Sequence, residues 1–470
     1  KQSRGSKMFS HKRRSPLARF GRVGELMYHQ LFDKPARFIA TGFTLTILLG
    51  GFLLWLPISQ QEGQDISFID CLFVATSAGT VTGLSTINIA EAFNLFGQLI
   101  MMLLIQVGGL GFMTIALVLL SVTGRKIGIR QRIIIQEMFN LDSPGGTIRL
   151  VRNIIVTTVL VEIVGMFLIA LDLFIQYKYS FGKALYYGLF HAVSAFNNAG
   201  FALWGDNLIG FQQDTTFILT IAALLMIGGL GFTVIADIAG KRSFKKISLH
   251  SKLMVLSLFV INGLGVLAMM LYEWVSHLGS LRDESFFHAL HIVFFQVVTT
   301  RTAGFQTIDL TTMVPLSIGL MMVLMYIGAG SASTGSGIKV TTAAVILKNV
   351  WTYLRGQRET VLMRRTVQAQ AIQKAYAIAV FSLLFIALIT TLLALSQPNL
   401  SFIGLFFETV SAFGTVGLSL NVTPELNSFG KFLIMFMMLL GRVGSLTILF
   451  TFAAQRDRTI RYPKENMLIG

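Results

Sequence analysis

Long apolar runs, separated by short polar or basic segments, dominate this chain. The runs at about 38–57, 93–121, 153–176, 212–237, 253–274, 312–327, 376–396 and 427–453 are read as long helices. At about 1.5 Å of rise per residue, such helices cross a hydrocarbon core of roughly 30 Å. Between them lie four apolar runs of some 12 residues, at about 65–78, 183–195, 285–298 and 401–412, too short to cross. These predict re-entrant half-helices. The run at 38–57 is not expected to be a cleaved signal peptide, because it is too long and follows a basic stretch.

Each short run leads into a similar segment: Ser77-Ala-Gly-Thr-Val-Thr-Gly83, Ser194-Ala-Phe-Asn-Asn-Ala-Gly200, Val298-Thr-Thr-Arg-Thr-Ala-Gly304 and Ser411-Ala-Phe-Gly-Thr-Val-Gly417. The final glycines recur at intervals of 117, 104 and 113 residues. A small-residue motif follows each one inside the next long run: Val107-Gly-Gly-Leu-Gly111, Ile227-Gly-Gly-Leu-Gly231, Ile327-Gly-Ala-Gly-Ser331 and Leu440-Gly-Arg-Val-Gly444. For the first two motifs, plain helix packing is the favoured reading.

The repeated unit is long helix, half-helix, glycine loop, long helix. Two crossings per unit make successive units parallel, so four copies can close around an axis along the membrane normal. The predicted fold is an all-α integral membrane protein of four tandem M1–pore-helix–M2 repeats, with eight transmembrane helices and pseudo-fourfold symmetry about one pore. Irregular backbone survives at membrane depth only inside protein or beside a water-filled cavity, and four converging loops make such a place. Glycine lets successive carbonyls aim at one line, where they can replace the hydration shell of a cation. Any one of these glycines alone would be read as an ordinary turn; four with matched flanks are not.

Composition agrees with a membrane solvent, since 54% of the 470 residues are hydrophobic and only 13% charged. The net charge of +16 could suggest nucleic acid, but its placement argues otherwise. Residues 1–37, 122–152, 239–252, 346–374 and 454–470 carry 10, 6, 5, 6 and 4 of the 38 Lys and Arg. With alternating helices all five fall on one side, which the positive-inside rule makes cytoplasmic, both termini included. The basic loops then face anionic membrane lipid, and no nucleic-acid partner is expected. The predicted divisions are a cytoplasmic tail at 1–36, repeats at 37–121, 153–237, 253–346 and 376–453, cytoplasmic linkers at 122–152, 238–252 and 347–375, and a cytoplasmic tail at 454–470. The lone Cys71 lies in an apolar run and is assigned no chemistry.

At these residues the chain resembles the TrkH/KtrB/HKT superfamily of potassium transporters, and within it the KtrB-type membrane subunits of bacterial Ktr uptake systems. The resemblance covers roughly 37–470. It is most specific in Ser194-Ala-Phe-Asn-Asn-Ala-Gly-Phe-Ala202, Arg301-Thr-Ala-Gly-Phe305, Gly328-Ala-Gly-Ser-Ala-Ser-Thr-Gly-Ser-Gly-Ile-Lys339 and Gly441-Arg442. It implies potassium uptake through one filter lined by four glycines, here Gly83, Gly200, Gly304 and Gly417, whereas related sodium-preferring plant proteins carry serine at the first position. The candidate filter triplets are Val81, Thr82 and Gly83; Asn198, Ala199 and Gly200; Thr302, Ala303 and Gly304; and Thr415, Val416 and Gly417.

The resemblance also implies a homodimer with one pore per subunit, docked on a cytoplasmic ring of nucleotide-binding regulatory subunits of the KtrA/KtrC type. Potassium is the expected ion and sodium a candidate second one. No phosphate-cradling motif is present, and no nucleotide site is expected in this chain. The terminal residues ending Asn466-Met-Leu-Ile-Gly470 are expected, on the same resemblance, to reach toward the other subunit.

In the third repeat Gly328 to Gly337 should unwind the second long helix. The family reading is an intramembrane gate over 328–338, carried by Gly328, Gly330, Ser331, Ser333, Thr334, Gly335, Ser336, Gly337 and Lys339. A Ser/Gly-rich kink without gating is the alternative. Arg442, costly at membrane depth, is expected to hydrogen-bond carbonyls of that loop. Arg301 should point away from the ion path and pair with Glu408, stiffening the filter from behind. Glu162 is read as a buried structural contact rather than an ion site.

The chief rival function is an alternating-access secondary cation transporter built around a broken-helix midplane site. A membrane enzyme is a weaker rival, because His191, His288 and His291 lack the partners of a zinc site.

Overall fold

The structure is a computed structural model that describes residues 35–111, 133, 147–241, 243–276, 279–331 and 333–444. Most of the predicted N-terminal tail and first linker, the stretches 112–121 and 445–453 of two long runs, and the C-terminal tail lie outside the described residues.

The described residues are mostly helical. Helices α1 (Pro35–Trp55), α2 (Phe68–Thr80) and α3 (Leu95–Leu110) come first. They are followed by α4 (Thr147–Ile175), α5 (Phe181–Phe196), α6 (Thr215–Leu230) and α7 (Phe232–Lys241). Next are α8 (Leu249–Met270), α9 (Phe286–Thr299), α10 (Pro315–Tyr326) and α11 (Val340–Leu354). The series ends with α12 (Ala369–Ser396), α13 (Phe402–Gly414) and α14 (Ser428–Val443).

Four helical stretches, Arg37–Trp55, Arg149–Ile175, Leu249–Val275 and Ala369–Ser396, are long and apolar enough to cross a membrane. They expose large apolar side chains such as Leu45, Phe167, Phe259 and Leu384, as a lipid-facing surface does. The short helices α2, α5, α9 and α13 are buried instead over their C-terminal halves.

Helix starts follow from side chains that accept otherwise unpaired backbone N–H groups. Ser67 caps α2, Ser285 caps α9 and Ser401 caps α13. Asn94, Asp214 and Asn427 do the same for α3, α6 and α14, while Pro315 begins α10 without needing a donor.

The helix following each glycine loop packs on the short helix of the next unit: α3 on α5, α6 on α9, α10 on α13, and α14 back on α2. The last contact joins the last described helix to the first short one and closes a four-membered cycle of contacts.

Several predicted boundaries move. Helix α4 begins at Thr147 rather than 153 and α12 at Ala369 rather than 376, because a helix need not stop where its apolar run does. The expected linker 347–375 holds the end of α11 and a two-stranded hairpin, Val361–Leu362 with Arg365–Thr366. The glycine motifs also differ from plain packing. Gly108 and Gly228 do pack closely, since a Cβ there would strike the carbonyls of Gly79 and Phe196. Gly111 and Gly231, however, take φ of 80° and 105° and end their helices, and Gly444 does so at 96°. At Gly231 the chain turns by 93° between α6 and α7. The apolar pattern runs straight through these breaks, so hydropathy alone does not reveal them.

Candidate functional site

The four glycines singled out by spacing meet at one place. A Cβ built on Gly83 would lie 3.2 Å from the Cα of Gly200, one on Gly200 2.9 Å from that of Gly304, one on Gly304 3.1 Å from that of Gly417, and one on Gly417 2.9 Å from that of Gly83. The ring therefore closes in chain order. The nearest obstacle is in each case the carbonyl of the residue before the neighbouring glycine: Ala199 for Gly83, Ala303 for Gly200, Val416 for Gly304 and Thr82 for Gly417. Carbonyl oxygens crowd the ring of glycines, and any side chain at these positions would displace one of them.

The backbone repeats as well. Gly83, Gly200, Gly304 and Gly417 have φ of 101°, 70°, 76° and 94°. Two residues earlier, Val81, Asn198, Thr302 and Thr415 are also left-handed, at 58°, 59°, 68° and 47°. Positive φ thus falls on every second residue of each loop, a departure from the extended backbone of an ordinary strand. Three of those four residues are β-branched and strained there, a cost that persists where surrounding structure imposes it.

A hydroxyl at the end of each short helix holds its loop. Ser77 Oγ accepts from Gly83 N at 3.0 Å and Ser411 Oγ from Gly417 N at 3.1 Å. Ser194 Oγ accepts from Phe201 N at 3.0 Å, and Thr299 Oγ1 donates to Phe305 O at 2.8 Å. The sequence carried this signal as a Ser or Thr five or six residues before every glycine, and the sequence reading gave it no role.

On one side of the ring lies a cavity of about 320 Å³ lined by Gly83, Gly200 and Gly417 together with Asn88, Asn207, Gln306 and Asn421. Its lining includes Asp206 and Asp309 and no lysine or arginine.

Away from this cavity, the described residues of 328–339 are non-helical, as expected, and fold against the ends of the short helices. Thr334 N donates to Gly228 O at 3.4 Å and Gly330 N to Gly229 O at 3.0 Å. A Cβ on Gly335 would strike Thr302 Oγ1, and one on Gly337 would lie 3.5 Å from Gly414 Cα. Ser331 Oγ lies 3.2 Å from Thr341 Oγ1, and Ser333 Oγ donates to Gly330 O at 2.8 Å. Arg442 reaches the segment as expected: Nη1 donates to Thr334 O and, at 3.4 Å, to Ser336 Oγ. Its Nη2 donates to Gly108 O and, at 3.1 Å, to Gly109 O, a bridge to the first unit that the sequence did not predict. Lys339 Nζ donates to Gly335 O at 2.8 Å.

The expected pair of Arg301 and Glu408 does not form. Arg301 Nη2 donates to Gly328 O at 3.5 Å, and Nη1 has no hydrogen-bond partner among the described residues. The Glu408 carboxylate accepts instead from Ser419 Oγ at 2.8 Å and from Thr423 Oγ1. Both residues are buried, but Arg301 sits at the end of α9 and turns toward the 328–338 segment, whereas Glu408 lies mid-helix in α13 and turns toward the cavity side. Arg301, Lys339 and Arg442 thus surround one segment with no salt-bridge carboxylate among the described residues.

Glu162 is the buried contact anticipated, accepting from Gln106 Nε2 at 3.2 Å and Asn197 Nδ2 at 3.0 Å. No group of His, Cys, Asp and Glu among the described residues could hold a metal ion.

Comparison with known proteins places this geometry in a family. Residues 39–462 match the TrkH family, described as cation transport protein. The chain is 44% identical over 436 residues to the Ktr system potassium uptake protein B of Bacillus subtilis, covering 93% of this chain and 97% of that protein. It is 38% identical over 445 residues to the potassium/sodium uptake protein NtpJ of Enterococcus hirae, covering 93% and 97%. In fold it is similar to the crystal structure of the potassium transporter TrkH from Vibrio parahaemolyticus, with a TM-score of 0.69 at 17% identity, over 95% of this chain and 87% of that one. A match of this extent makes the chain a member of the TrkH family of cation transport proteins.

Proposed function

We propose that this protein takes up potassium across the cytoplasmic membrane through a channel-like pore, as the membrane subunit of a Ktr-type system. The observation that carries the reading is the ring of Gly83, Gly200, Gly304 and Gly417, whose left-handed backbones and crowded carbonyls suit replacement of a cation's water shell. Four parallel M1–pore-helix–M2 repeats around that ring, with both termini cytoplasmic, accommodate the cyclic helix contacts and the placement of basic residues.

In this reading the triplets ending at the four glycines are the filter and the cavity beside them is its outer mouth. The 328–338 segment closes the path beneath, and Arg301, Lys339 and Arg442 make it a positively charged barrier to cations. An inside-negative potential, worth about 2.3 kcal/mol per charge per 100 mV, drives uptake without ATP. The tight packing of all four loops on their own short helices favours a fixed filter over a rocking carrier. Two of the relatives are named for potassium uptake and for potassium/sodium uptake, which supports potassium as the ion and sodium as a second one to be tested. The name of the first as part of a Ktr system supports a cytoplasmic nucleotide-binding partner of the KtrA/KtrC type, and we extend the reading to a homodimer.

The test is potassium and sodium flux into proteoliposomes, native protein against Gly83→Ser. Potassium-selective flux that loses selectivity on substitution supports the filter. Equal selectivity in both proteins rules it out.

A further inference from the structure

Beyond each filter glycine the chain turns outward, and there each loop is tied again to its own short helix by a buried or half-buried polar side chain. In the first unit Thr86 Oγ1, three residues past Gly83, donates to Asp70 Oδ1 at 2.6 Å. In the second, Leu203 N, three past Gly200, donates to His191 Nε2 at 3.1 Å. The ring of His191 is fully buried, stacks on Trp204 at 4.1 Å, and has Nδ1 2.7 Å from Tyr187 O. In the third, Gln296 Nε2 donates to Thr307 Oγ1, three past Gly304, at 3.2 Å. In the fourth, Ser419 Oγ, two past Gly417, donates to Glu408 Oε2 at 2.8 Å.

Four unlike groups, an aspartate, an imidazole, an amide and a glutamate, thus do one geometric job. Each tie lies past the filter glycine, while the backbone carbonyl of the helix-end Ser77, Ser194, Thr299 or Ser411 accepts from the residue before that glycine, Thr82, Ala199, Ala303 or Val416, at 2.8–3.0 Å, so the two bonds hold opposite sides of the glycine. A loop pinned on both sides of its glycine cannot shift its carbonyls along the axis without breaking a buried hydrogen bond, and leaving such a group unpaired is costly. Coordination distances of a dehydrated ion depend on that spacing.

We propose that Asp70, His191, Gln296 and Glu408 are positioning residues, one per repeat, that hold the outer limbs of the filter loops and thereby set the discrimination between potassium and sodium. The proposal rests on the filter reading above. It also gives Glu408 a role independent of any cation, since its partners are hydroxyls, and gives His191 a task that requires a neutral ring accepting at Nε2.

The third repeat offers the cleanest experiment, because both partners are uncharged and each has a near-isosteric apolar replacement. Gln296→Leu, Thr307→Val and the double variant would be reconstituted in proteoliposomes beside Gly83→Ser. The ratio of potassium to sodium flux would be measured together with thermal stability of the purified protein. Each single variant should lower the ratio about threefold or more, the scale of one lost buried hydrogen bond. The double variant should be no worse than the worse single one, the non-additivity of a coupled pair. His191→Phe, which keeps the stacked ring but removes the acceptor, should behave likewise in the second repeat.

A ratio unchanged in the Gln296, Thr307 and His191 variants, while Gly83→Ser abolishes it, overturns the positioning role and leaves the filter standing. A ratio unchanged in all of them, Gly83→Ser included, removes the filter reading itself. Lower stability with an unaltered ratio would make these ties structural and nothing more.

Discussion

Lys431 Nζ lies 2.6 Å from Asp70 Oδ1, joining the last described helix to the first short helix across 361 residues of sequence. Both side chains are mostly shielded, and the same carboxylate oxygen accepts from Thr86. This pair bonds the seam at which a linear chain closes into a ring. Lys431→Met should therefore lower stability by about 1.5–3 kcal/mol, the range for a hydrogen bond to a charged group. Thermal unfolding in detergent would measure it. Asp70→Asn combined with Lys431→Met should cost less than the two single changes added, and strict additivity would show that the pair is not coupled.

Arg442 holds Thr334 of the interrupted helix and Gly108 of the first unit at once. In Arg442→Ala these carbonyls lose a charged donor and the segment loses one of its three cations. Flux without any regulatory partner should rise about tenfold or more, the shift in open population for one charge-assisted bond. Lower flux at normal expression and stability would refute the gating role and leave Arg442 as a packing residue.

Gly304 cannot carry a side chain, because its Cβ would run into Val416 O, whereas a Cβ on Gly319 of α10 meets nothing within 4 Å. Gly304→Ala should abolish selective potassium flux, and Gly319→Ala should leave both flux and stability within error. Flux assays on the two proteins purified side by side decide this. Selective conduction through Gly304→Ala would mean that the ion does not pass the ring.

The bend at Gly231 makes a similar contrast for stability. With φ of 105° and ψ of 135°, this residue occupies backbone space that L-residues avoid, so Gly231→Ala should cost about 1–3 kcal/mol. Gly240 lies in α7 with open space around its Cα, and Gly240→Ala should be nearly neutral. Melting curves of equal midpoint for these two variants would show that the turn tolerates a side chain.

The sequence was most informative where one signal recurred. Four runs too short to cross, each leading to glycine, placed α2, α5, α9 and α13 within a few residues and named the four glycines that meet. The unwound 328–339 segment and the reach of Arg442 were also legible, because small polar residues and a charge at membrane depth each leave few options. What stayed hidden depended on rotation and depth. Spacing put Arg301 and Glu408 near the same filter, but not on which side each would face, so the expected pair was wrong. The pairing of Asp70 with Lys431 was not legible, because nothing local links positions so far apart. The breaks at Gly111, Gly231 and Gly444 were masked by apolar residues on both sides.

Since one covalent chain supplies all four glycines, the ring has four different walls. In an assembly of identical subunits every change arrives fourfold and a poor one ruins all sides at once. Here a single substitution touches one wall while the other three keep their geometry. That independence accommodates the dissimilarity of Asp70, His191, Gln296 and Glu408, and it lets one unit carry an interrupted stretch, Gly328 to Ile338, that the other three do not repeat. A lineage of such proteins can adjust its preference among ions one quadrant at a time.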